Sequence, residues 1–179
     1  MISCKEVAKY LLSKTDEEAG DVISNLKLQK LVYYVQGFSL ALNNRPMFED
    51  NICAWQHGPV VPGLYNEYKS YGALGIPKPK DFDCSSIPQE DRELMDEVYD
   101  VYGQFSAWKL RNMTHEEAPW KNTPINGIIS KESMKNFFKG LVDEEEPNQA
   151  TPTWEERQGT PATSKWYGKA GWVSSGLFI

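Results

Sequence analysis

The run SNLKLQKLVYYVQGFSLAL, from Ser24 to Leu42, carries apolar side chains on two sides of a helix. At about 100° per residue, Leu28, Leu31, Val32, Val35, Phe38 and Leu42 share one broad face, the pattern of a helix laid on a core. Leu26, Tyr33 and Leu40 make a second apolar line on the opposite side, with Gly37 beside it, where another backbone can approach closely. A helix apolar on two sides is buried between neighbours. Lys27, Gln29, Lys30 and Gln36 lie between the two faces, too few to make a solvated surface, and are expected to reach out at its edges. The run is read as the central helix of the domain.

The flanking segments supply its neighbours. Ser3 and Glu6 stand in S-x-x-E register, a capping box that starts a helix near Cys4, and Val7, Tyr10, Leu11 and Leu12 carry it to about Ser13. After an acidic loop, Ser24 or Asn25 caps the central helix. The turn-rich NNRPMFEDN reverses the chain, and residues 52–55 are the only strand candidate. Gly58 and Pro59 read as a stiff corner, with His57 available to a loop carbonyl. Pro62 then suits the first turn of a helix carrying Leu64, Tyr65 and Tyr68 to about Tyr71-Gly72. A further helix opens near Gln89, with Leu94, Met95, Val98, Val101 and Tyr102 inward. Another runs from Ser106 to about Met113 with Trp108 and Leu110. Thr114 to Glu117 has the form of a second capping box, after which Pro119 limits a turn and Trp120 packs. Ser130 begins the last helix, with Met134, Phe137, Phe138 and Leu141. There is no βαβ alternation and no repeat at solenoid periods. The expected class is mainly α: a compact single-domain helical bundle around a buried central helix, with at most a very short β element.

That domain spans residues 1–142. Residues 143–179 change character, from an acidic run to a Pro-, Gly- and Thr-rich extension holding Trp154, Trp166, Tyr167, Trp172 and Phe178. Half of the six tryptophans lie there, and each aromatic left in water forfeits about 1.5–3 kcal/mol of burial. The extension is therefore expected to dock, on the body or on a partner.

Composition narrows the function. With 40% hydrophobic and 25% charged residues the chain reads as a globular protein. Its longest apolar runs fall short of a membrane span, and charges interrupt its N-terminus where a secretory signal needs an apolar stretch. A cytoplasmic location without membrane contact is expected. The net charge of −6, without any cluster of Lys and Arg, weighs against nucleic acid as a partner. Cys4, Cys53 and Cys84 are widely spaced and read as reduced structural thiols. His57 and His115 are the only histidines. Joined with Glu116 or Glu117 they would make a metal site, and paired with a cysteine a catalytic dyad, but the spacing supports neither. No metal, no cofactor and no catalytic residue is expected.

Three segments together resemble one family. L-x-L-Q-K-L-x-Y-Y-x-Q-G matches at Leu26 to Gly37, through Leu28, Gln29, Leu31, Tyr33, Gln36 and Gly37. A-W-x-x-G-P-V-V-P-x-x-Y matches at Ala54 to Tyr65, through Gly58, Pro59, Pro62 and Tyr65. T-H-x-E-x-P-W matches at Thr114 to Trp120, through His115, Glu117 and Pro119. In this order they resemble the Panacea domain, also called the SocA-like antitoxin domain, over residues 1 to about 142. The resemblance implies a mainly helical, non-enzymatic protein of bacteria, phages and mobile elements that binds and neutralises a toxin encoded beside it. Alternative roles are delivery of a toxin to a cytoplasmic AAA+ protease, a prophage interaction protein with no adjacent toxin, and, more remotely, a metal-dependent or Cys/His enzyme. Partner-facing residues are expected at Lys27, Lys30, Trp55, Gln56 and His57, beside the tail residues Trp154, Trp166, Tyr167 and Trp172.

Overall fold

The computed structural model describes residues 1–16, 18 and 20–143. Trp154, Trp166, Tyr167, Trp172 and the extension beyond Asp143 lie outside the described residues. The elements are α1 (Cys4–Ser13), α2 (Asn25–Leu42), β1 (Cys53–Trp55), β2 (Gly58–Val60), α3 (Pro62–Tyr68), α4 (Gln89–Tyr102), α5 (Ala107–Glu116), α6 (Ala118–Lys121) and α7 (Lys131–Asp143). A 3-10 turn, Lys69–Tyr71, extends α3. The fold is mainly α, as expected, with a two-stranded sheet as its β element.

Helix α2 runs through the middle and touches α1, α3, α4, α5, α7 and β2. Its start is fixed by Ser24, whose side chain accepts from the Lys27 N–H, and α1 opens on the Ser3–Glu6 capping box with both reciprocal bonds formed. The Tyr34 ring stacks on Tyr102 of α4 at 3.9 Å, while Phe138 of α7 meets Tyr33, Tyr34 and Phe38 edge-on. Phe138 occupies the space over Gly37: a Cβ there would lie 2.2 Å from its ring. The close approach at Gly37 is therefore made by an aromatic ring and not by a backbone.

Three further expectations change. Gln29, Lys30 and Gln36 do not reach outward; all are buried, Lys30 completely, and Lys27 is buried beside Asp21. Gln29, Lys30 and Gln36 are inside because backbone groups of Val61, Pro59, Met47 and Phe48 next to α2 need hydrogen-bond partners. Burial fades at the end of the helix, where Leu42 is 38% exposed. Thr114 caps nothing: it lies within α5, and its hydroxyl donates to the Arg111 carbonyl one turn back, while the Glu117 carboxylate turns inward to Tyr34.

The expected corner at Gly58 and Pro59 is a hairpin strand. β1 and β2 pair antiparallel with Cys53 opposite Val60, Ala54 opposite Pro59 and Trp55 opposite Gly58, leaving Gln56 and His57 as a two-residue turn. Gly58 has φ of +98°, and a Cβ there would lie 2.8 Å from Lys30 and Thr114, so both conformation and space call for glycine. On the other side of β1, the Ala54 N–H donates to Gly127 and the Ala54 carbonyl accepts from Asn126.

Candidate functional site

The three motif segments converge on this hairpin. The Gln29 carboxamide accepts from the Val61 N–H at 2.9 Å and donates to Asn25, which in turn donates to the Tyr65 carbonyl. The Lys30 ammonium donates to the Pro59 carbonyl at 2.8 Å. One turn on, the Tyr34 hydroxyl donates to Glu117 at 2.7 Å, and the Tyr33 hydroxyl faces the same carboxylate without closing a hydrogen bond. Two turns from Gln29, Gln36 donates to the Phe48 carbonyl and accepts from the Met47 N–H. From the other side, the Trp120 indole donates to the Trp55 carbonyl, and His115 stacks on Trp120 at 3.7 Å. A buried amide or carbonyl left unmade costs about 1–3 kcal/mol, so this set of bonds fixes the hairpin to the helices.

Burial sets the electrostatics. It pushes the Lys30 ammonium down to about 7, with nearby Arg111 adding to the effect. It pushes the Glu117 carboxyl up to about 7, against the stabilising bond of the Tyr34 hydroxyl. His115 is lowered by burial and by Arg111 and Lys30. Burial also holds the Cys4 thiol far above its ordinary range, which keeps it unreactive. Among the described residues, no group of three or more His, Cys, Asp or Glu side chains could hold a metal ion, and the cysteines are free. The shifted groups face inward and serve the scaffold.

What the scaffold presents is a groove of about 680 Å³. Its floor comes from the first turns of α2, with Ser24, Asn25 and Gln29; one wall is the hairpin, with Trp55, Gln56 and His57; the other walls are Tyr65 and Lys69, Trp108, and Asn126. Trp55 meets Tyr65 edge-on at 5.0 Å, and His57 meets Trp108 at 5.9 Å. Trp108 is 60% exposed at the rim and Tyr65 is also exposed. The size is that of a ligand or peptide-segment pocket, and the lining is aromatic and neutral except for Lys69.

Of the partner-facing residues expected from the sequence, Trp55, Gln56 and His57 line this groove. Lys27 and Lys30 do not; both are buried, Lys30 beneath the hairpin. Tyr65 was expected to be architectural and Trp108 was placed on its helix without a site role, yet both face the groove. The available signal was that Trp108 sits two residues, about 200°, from the buried Leu110 on the same helix. Asn126, itself in the left-handed region with φ of +64°, carried no signal at all.

Residues 28–121 match the family described as "Antitoxin SocA-like, Panacea domain". A relative named "Antitoxin SocA", from Caulobacter vibrioides, is 39% identical over 132 residues, covering 66% of this chain and 69% of the relative. No solved structure matches the chain.

Proposed function

The chain belongs to the SocA-like antitoxin family defined by the Panacea domain, and from that membership we propose that it neutralises a protein toxin by binding it directly through the aromatic groove. The observation that carries the surface assignment is Trp108, left 60% exposed above a concavity that already contains Trp55 and Tyr65. Tryptophan and tyrosine dominate the energetic centres of interfaces, and a contiguous aromatic patch on a soluble surface marks a contact site. The neutral polar groups around it, Gln56, Asn126 and Ser24, suit a rim that hydrogen-bonds a polypeptide. Neutralisation by occupancy needs no reaction on the toxin, and the strongly shifted groups Lys30 and Glu117 are not among the side chains that line the groove. The protein would act in the cytoplasm; among the described residues no helix is long and apolar enough to cross a membrane.

The test is co-expression with the product of the adjacent reading frame, scoring growth and co-purification. Trp108→Ala and Tyr65→Ala should each weaken the complex by about thirtyfold or more, the loss expected of a hot-spot residue, with an unchanged melting temperature. Full neutralisation by both variants would place the toxin elsewhere. A toxin whose level falls only when a host AAA+ protease is present would instead make the protein a delivery adaptor.

A further inference from the structure

The course of α7 determines what lies within reach of the groove. Lys135 donates to Asn44, just past the end of α2, and Phe138 covers Gly37, so α7 runs antiparallel to α2. Its last residue, Asp143, therefore points toward the end of α2 that supplies Ser24, Asn25 and Gln29 to the groove. Phe138 to Asp143 advances about 7.5 Å, while Gly37 back to Gln29 is about 12 Å. Measured along α2, α7 ends about one helical turn from the level of the groove. Another 36 residues follow Asp143. Trp154 is eleven residues on, a reach of up to about 36 Å.

That segment has the composition to fill the groove. Trp154, Trp166, Tyr167 and Trp172 offer flat apolar faces to a lining of Trp55, Tyr65 and Trp108. Residues 154–172 hold Arg157, Lys165 and Lys169 against Glu155 and Glu156, a net charge of +1, whereas residues 1–143 hold 20 acidic against 16 basic residues, so charge favours the contact only weakly and the aromatic match carries it. A tether of this length gives an effective concentration on the order of millimolar, enough for a weak contact to be mostly closed.

We propose that residues 154–172 of the chain's own extension seat their tryptophans in the groove and, in the free protein, cover the surface that a toxin engages. The seating itself is independent of the toxin; only the covering of a toxin surface rests on the function proposed above. A partner must displace the segment, so its apparent affinity is reduced by the fraction of groove left open.

Hydroxyl-radical footprinting of the intact chain, read tryptophan by tryptophan, tests the seating. With the groove nine-tenths closed, substituting Trp154, Trp166 and Trp172 by Ser should raise oxidation of Trp108 and toxin affinity by about tenfold each. Trp108→Ala, with Tyr65→Ala as a second variant, should raise oxidation of the tail tryptophans in the same proportion. Tail tryptophans already oxidised at the rate of a free peptide, protection indifferent to both groove variants, or protection lost on dilution would each overturn the seating, the last pointing to a second copy. If the seating fails while Trp108→Ala still loses the toxin, the groove remains the toxin site. If the seating holds while toxin affinity ignores the tail variant, the shared surface is overturned.

Discussion

Gly37→Ala is the sharpest test of how α2 and α7 meet. In an exposed helix interior this change stabilises by about 1 kcal/mol, because alanine has the better helix propensity. Here the new Cβ would lie 2.2, 2.4 and 2.5 Å from three carbons of the Phe138 ring. The ring cannot turn aside easily: Tyr33, Tyr34, Phe38 and Phe137 surround it with centroids 4.9–6.0 Å away. Overpacking of a tight core costs about 1–3 kcal/mol, and three contacts this short belong at or beyond the upper end. Net of the propensity gain, the loss should be about 2 kcal/mol, or about 4–8 °C in melting temperature for a chain of this size. Urea melts of Gly37→Ala, Phe138→Leu and the double variant close a cycle. In the Phe138→Leu background, Gly37→Ala should be neutral or stabilising. A Gly37→Ala protein at least as stable as its parent, with Phe138 in place, would refute the account.

Stability should also vary with pH in a way traceable to two groups. Glu117, raised from 4.5 to about 7, keeps a proton in the folded state that the unfolded chain has lost, so its contribution falls as pH rises through that window. Lys30, lowered from 10.5 to about 7, is the reverse: between those values the unfolded chain holds the extra proton, so its penalty is relieved as pH rises. Together they place a dip near neutrality, each limb at most about 3 kcal/mol deep over the two pH units on either side. In denaturant melts at pH 5, 7 and 9, Glu117→Gln should flatten the acid limb and Lys30→Met the alkaline one; variants that keep the parent profile would show that these groups do not set it. Gln29→Leu should cost about 1–3 kcal/mol by orphaning the Val61 N–H, and amide exchange at Val61 should accelerate; unchanged exchange there would contradict the assigned bond.

Much of the helical frame was legible because its signals are local. Ser3 and Glu6 announce α1 three residues apart, and Leu94, Met95, Val98, Val101 and Tyr102 trace the buried face of α4 by spacing alone. What escaped depends on partners far along the chain. Gln29 and Lys30 look solvent-bound until the backbone at Val61 and Pro59 is placed beside them, and Glu117 looks like a capping residue until Tyr34, 83 residues earlier, claims its carboxylate. The first strand of the hairpin was expected at residues 52–55, but the second was hidden because it is three residues long and contains proline, which argues against a strand locally. The groove was half visible. Trp55, Gln56 and His57 stood in a motif, but Tyr65 and Trp108 belong to it through the way α3 and α5 lean on the hairpin, which no single periodicity encodes.

The small sheet bears on how any partner can be recognised. Exposed strands commonly recruit peptides by offering unpaired backbone groups to an incoming strand. Here one flank of β1 is taken by Asn126 and Gly127, and the outward Pro59 carbonyl and the Val61 N–H beside it are taken by Lys30 and Gln29. Main-chain zippering onto the hairpin is thereby closed off, and selectivity falls to the side chains that line the groove. At its rim Gln56, Tyr65, Trp108 and Asn126 are exposed and carry little of the core, so they can be exchanged one by one without disturbing the bonds that Asn25 and Gln29 make beneath. A scaffold built this way can acquire new partners through a few surface substitutions while its interior stays constant.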